Sequence, residues 1–200
     1  MKPKIFLWMI PAIFFACGIC TAQAPREVGG FTLGRQISEY TDVVNMETAL
    51  PLRYQEYIHE IEIKETEGFK SGLIWIGNCA SPGRVVRIKL KYSNSSKKFY
   101  DALLDRFKKR FGEPAEWRGD PFHVVIAWKW SFVDDQNNRI SMTLQHNTRD
   151  EEEKMGNAVK LTMTNLMEEE RACYEKKSSW SQKQEPGSHG AVAWDLLIPR

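Results

Sequence analysis

Apolar residues recur along this chain with two different periods, and the switches between them mark its elements. Across residues 94–114, Phe99, Leu103, Phe107 and Phe111 return every four positions, with Ala102 and Leu104 widening the stripe. That spacing predicts a helix with one buried face. Ser95 or Ser96 supplies the cap, because a short side-chain oxygen accepts from the free N–H groups of the first turn. Lys108, Lys109 and Arg110 load the last turn, where the helix dipole is negative. Gly112 follows as a left-handed stop, and Pro114 bars continuation.

On both sides of that helix the period falls to two. Over residues 54–65, Tyr57, His59, Ile61 and Ile63 alternate with Ile58, Glu60, Glu62 and Lys64. Residues 73–78 form a short apolar run, and residues 85–92 set Val86, Ile88, Leu90 and Tyr92 against Arg87, Lys89 and Lys91. After the helix the pattern resumes. Val124, Ile126, Trp128, Trp130 and Phe132 share one face; so do Ile140, Met142 and Leu144, and then Val159, Leu161 and Met163. Each run reads as a strand. A short helix is expected over residues 38–50, capped by Ser38 and ended by Pro51. A last helix is expected from Asn165 to about residue 177, with Glu168, Glu169 and Glu170 at its start. The chain thus reads helix–strand–strand–strand twice. The predicted fold is α+β: two helix-plus-three-strand units forming antiparallel sheet, helices packed on one face, and a C-terminal helix.

Composition changes this picture at the ends. Lys2 and Lys4 precede an apolar run over residues 5–19 and then small residues, the order of a secretory signal. Cleavage after Ala22 starts the mature chain at Gln23; an uncleaved anchor is the competing reading. The organisation expected is a signal peptide at 1–22, a single α+β domain at 23–177 and a flexible tail at 178–200 with an apolar end. No membrane span is expected once the signal is removed. The formal charge of +2 includes Lys2 and Lys4, so the mature part comes to 2 − 2 = 0. A neutral chain argues against nucleic acid as a partner, which demands a basic field. Export places Cys79 and Cys173 in an oxidising compartment. They are a disulfide candidate, or else two buried free thiols, and spacing alone gives no distance between them.

Catalytic motifs are missing from the sequence: no G-x-S-x-G, H-E-x-x-H or phosphate loop occurs, and no catalytic residue, metal site or cofactor is assigned. His59 and Glu60 are strand neighbours and point apart. His123 and His146 fall near one end of a predicted hairpin. Pairing Trp130 with Ile140 would set Val124 against His146 and turn His123 away, so each histidine is read as a solvated surface residue. Cys79 as a nucleophile lacks an identifiable base. Of seven tryptophans only Trp8 falls in the leader. Trp128 and Trp130 read either as sheet core or as an aromatic platform for a sugar or peptide; Trp75 and Trp117, beside turns, are the better candidates for exposed contact. The binding candidates are therefore Trp75, Trp117, Trp128 and Trp130.

The G-F-T-L-G opening, and the run Y-x-x-L-L-x-x-F-x-x-x-F-G-x-P from Tyr100 to Pro114 before a Trp-bearing strand, resemble small exported bacterial proteins of unassigned function. The tandem helix-and-sheet layout is similar, in architecture only, to the β-lactamase inhibitor protein fold. Neither resemblance carries a site residue across. The function expected is that of an exported, non-enzymatic protein that binds an unknown macromolecular partner in the cell envelope. The alternative is a carbohydrate-binding protein or hydrolase with an aromatic-lined site on the sheet.

Overall fold

A computed structural model of the chain describes residues 24–149 and 155–184; the expected signal peptide and cleavage site and the apolar end lie outside them. A short hairpin, β1 (Glu27–Val28) and β2 (Phe31–Thr32), leads through a 3-10 turn at Ile37–Tyr40 into β3 (Val44–Leu52), β4 (Gln55–Ile63), β5 (Phe69–Gly77) and β6 (Val85–Tyr92). Helix α1 (Lys97–Phe111) follows, then β7 (Glu116–Trp117), β8 (Val125–Val133), β9 (Arg139–Asn147), β10 (Gly156–Met163) and α2 (Thr164–Gln184). The hairpin is a sheet of its own, and the other strands form one eight-stranded antiparallel sheet in the order β3-β4-β5-β6-β10-β9-β8-β7.

The expected pair of helix-plus-three-strand units is therefore overturned. The molecule is mostly β, and the helix predicted over residues 38–50 is instead a 3-10 turn followed by an edge strand. The reason lies in a bulge. Pairing with β4 jumps from Asn45↔Glu62 to Leu50↔Glu60. Thr48 fills the gap: its hydroxyl donates to the Asn45 carbonyl at 2.7 Å and accepts from the Glu62 N–H at 2.9 Å. The extra residues break the period of two by which a strand is recognised in sequence.

Helix α1 forms as its caps dictate. Of the two serines, Ser96 is the cap and accepts from Phe99 N–H at 3.2 Å. Gly112 closes the other end at φ 81° and donates to Lys108 carbonyl at 2.8 Å. The helix lies on the sheet through its aromatic stripe. Phe107 meets Trp130 with ring centres 5.9 Å apart, Phe111 meets Phe132 at 5.8 Å, and Tyr100 meets His146 at 5.4 Å. The hairpin joins the sheet at β6, where Gly34 N–H donates to Val85 carbonyl and Val85 N–H to Arg35 carbonyl, both at 2.8 Å.

Register sorts the side chains. Trp130, Met142, Leu161, Ile88, Ile74 and Ile61 stand side by side across β8, β9, β10, β6, β5 and β4. All six are 2% exposed or less. They are the spine of the core, against which α1 packs through Leu103, Leu104, Phe107 and Phe111.

Trp130 pairs with Met142 rather than Ile140, so His146 faces Ile126. The shift is two residues, which preserves the faces but moves His146 into the interior. His146 is buried rather than solvated: its Nδ1 lies 2.7 Å from the side-chain oxygen of buried Asn157, whose amide donates to the carbonyls of Asn94 and Ser96 at 2.8 and 3.0 Å. One buried amide thus ties the entry of α1 to the sheet and satisfies groups that would be costly to bury alone.

Candidate functional site

The four tryptophans singled out in the sequence do not converge. Trp130 is buried, and its indole donates to the Gly112 carbonyl at 2.8 Å, locking the end of α1 to β8. Trp75 is buried with the Arg87 guanidinium 5.5 Å from its ring centre. Trp128 is half-buried and meets Trp117 edge-on at 4.9 Å. Trp117, on the short edge strand, is 37% exposed, with the His123 ring 5.7 Å away. Of these four the exposed one is Trp117 at the sheet edge, and no broad platform forms from them.

Cys79 and Cys173 form a disulfide with Cα atoms 5.9 Å apart. It fastens α2 across one end of the sheet, helped by a carboxylate that the sequence did not mark as special. Glu170, 1% exposed, accepts from the backbone N–H groups of Asn78, Cys79, Ala80 and Ser81 at 3.2, 2.7, 3.0 and 2.7 Å. A buried charge is tolerated when so many donors replace its water. Gly77 leaves the room: a Cβ there would collide with the Glu170 carboxylate. Further along, Tyr174 stacks on Tyr57 at 5.6 Å and donates to Glu56 at 2.8 Å. The helix expected to end near residue 177 continues to Gln184.

The main polar concavity lies on the sheet face opposite α1. Beside the apolar row runs a second row, one residue over on each strand: Lys129, Thr143, Lys160, Lys89, Leu73 and Glu62. Successive strand residues point to opposite faces, so this row is the reverse of the core. A trough of about 570 Å³ opens over it, lined by Arg87, Arg118, Lys129 and Lys160 with the hydroxyls of Ser141, Thr143 and Thr162. Arg87 Nε donates to Thr162 Oγ1 at 3.1 Å; burial lowers its pKa, but guanidinium remains a cation in any protein setting. Glu116 anchors one side, 2.9 Å from Arg118 and 3.4 Å from Lys129. Asp120 also lines the trough. Hydrogen bonds from the Val125 and then the Phe122 N–H hold its carboxyl below the ordinary range, so it stays charged while bracing its own loop.

The arrangement offers fixed cations and hydroxyl groups suited to carboxylates or other anions. Among the described residues no group of three or more His, Cys, Asp or Glu side chains is placed to hold a metal ion. No helix there is long and apolar enough to cross a membrane. Single-strand alternation already marked Arg87, Lys89 and Lys91 as one face. Nothing in the sequence placed Lys129 and Lys160 beside them, because β6, β10, β9 and β8 are neighbours only in the folded sheet. Compared with family models, curated proteins and solved structures, the chain matches none.

Proposed function

We propose that this is an exported, non-enzymatic binding protein that engages an acidic macromolecular partner of the cell envelope through the trough on its sheet. The observation that carries the reading is the grouping of Arg87, Arg118, Lys129 and Lys160, from four different strands and loops, around one concavity edged with hydroxyls. Against these four cations stand Asp120, held by its own loop, and Glu116 at the margin. Residues 23–200, whose charges sum to 2 − 2 = 0, thereby concentrate positive charge on one surface, which guides an acidic partner and sets its orientation. The disulfide supports residence in an oxidising compartment, and the leader pattern supports export.

The test is retention of a defined acidic polypeptide, poly-glutamate, on the immobilised protein. Wild type retains it at low salt and releases it as salt rises, because exposed charges are screened. Lys129→Glu combined with Lys160→Glu abolishes retention, whereas reversal of two exposed α1 lysines, Lys98→Glu and Lys109→Glu, leaves it intact. Equal loss in both double variants would reduce the effect to net charge and end the reading. Capture from an envelope fraction with the same variants then identifies the partner.

A further inference from the structure

A second concavity lies on the other side of the sheet, and its chemistry differs. It is a groove of about 560 Å³ between α1 and the chain leading into the N-terminal hairpin, within the size range of small-molecule sites. Its floor is core: Met142, Val159 and Leu161, all 2% exposed or less. Leu103, Phe107 and Phe111 form the α1 wall, and each is only partly buried. The stripe that carries α1 onto the sheet is thus not fully consumed by packing; part of it faces a gap.

The mouth of this apolar groove is cationic. Arg106 and Arg110, one helical turn apart, line it together with Arg26, and Glu27 is the carboxylate among the lining groups. Arg110 lies with its guanidinium 5.3 Å from the Phe111 ring centre. Arg26 bonds Gln136 at 3.0 Å and sits 3.7 Å from Asp134, yet its buried Nε–H has no acceptor among the described residues. A buried donor without an acceptor costs free energy.

We propose that this groove binds a free fatty acid, with the acyl chain over Met142, Val159 and Leu161 and the carboxylate at Arg106 and Arg110. Two features select this class. An apolar floor bounded by a helix and a hairpin takes a single flexible chain, and the guanidinium groups of Arg106 and Arg110, with Arg26 already engaged by Asp134, favour an anionic head over a neutral or cationic one. Guanidinium also matches carboxylate geometry through paired N–H donors. The site is separate from the trough, and neither reading depends on the other.

Titration calorimetry of the purified protein with laurate, below its micelle concentration, tests the proposal against dodecanol and dodecyltrimethylammonium as neutral and cationic equivalents. One laurate binds per chain. Dodecanol binds about tenfold more weakly or worse, since a hydrogen-bonded charge accounts for that much, and the cation does not bind. Arg106→Ala with Arg110→Ala lowers laurate affinity by a similar factor while leaving the melting temperature in place, both positions being exposed. Leu103→Trp fills the groove and removes binding. If Leu103→Trp fails to fold, the arginine pair still decides. Laurate binding no better than dodecanol, or unchanged in the arginine variant, would overturn the assignment; poly-glutamate retention by the same variants remains as in wild type.

Discussion

Two adjacent rows of the same sheet behave as opposite materials. Trp130, Met142, Leu161, Ile88, Ile74 and Ile61 are buried in the core. Lys129, Thr143, Lys160, Lys89, Leu73 and Glu62 differ from them by one residue on each strand and line the reverse. The backbone is shared, so the contrast comes from side chains and from what covers them. The covered row stabilises by removing apolar area from water. The reverse row keeps Lys129 and Lys160 in the lining of a concavity, where exposed charges contribute little to folding. The zero net charge of residues 23–200 (2 − 2 = 0) conceals this division, because charge segregated by the pleat cancels only in the sum.

The sharpest attack on the contrast uses neighbours on one strand. Trp130→Ala removes a buried indole from the covered row along with its bond to Gly112, and should cost about 3–5 kcal/mol in denaturant melts. Lys129→Ala, the next residue, should change stability by no more than about 0.5 kcal/mol. Comparable losses would show that both faces bear the fold and would dissolve the distinction.

Breaking the disulfide asks whether the two faces stand without the clamp at the end of the sheet. Its sequence separation is 94. Closing a loop of this size contributes up to about 4.7 kcal/mol in the chain-entropy model. Cys79→Ser with Cys173→Ser should therefore lower stability by about 2–4 kcal/mol. Hydrogen exchange should quicken in α2 first, while the amides of β6, β10 and β9 remain the slowest to exchange. Simultaneous loss of protection in both regions would mean that the faces depend on the clamp.

A smaller effect is expected where the clamp is electrostatic. Glu170→Gln keeps the shape but replaces one acceptor oxygen with a donor opposite the N–H groups of Asn78, Cys79, Ala80 and Ser81. The cost should be about 1–3 kcal/mol, read by thermal melting with the disulfide intact. A neutral result would assign the seating of α2 to the covalent bond and the Tyr174 contacts alone.

What could be read in the sequence follows from how local the determinant is. Helix α1 was legible down to its serine cap and Gly112, because every signal lies within its own turns. Strands β4, β6, β8, β9 and β10 were legible from alternation, and β3 was not, because Thr48 stabilises a bulge that erases alternation. The candidate site was legible only in fragments. Arg87 and its lysine neighbours on β6 announced a polar face, but Lys129 and Lys160 gave no sign of joining it. Trp75, beside a turn, looked available for contact and is buried; Trp130, which read either as core or as platform, is core.

By itself the sequence determined the local matters: where the chain turns, which residues of each strand share a face, how α1 begins and ends, and that two cysteines were available to pair. Tertiary structure decided the rest. It set β6 beside β10, and so brought Arg87, Lys160 and Lys129 around one trough; it carried α2 across the sheet end, bringing Cys173 to Cys79 and Glu170 to four backbone N–H groups; it left part of the α1 stripe facing a groove. The physical reason is that periodicity and caps act over a few residues. The order of strands is chosen by the global burial of apolar faces, to which every element contributes and which no single segment specifies.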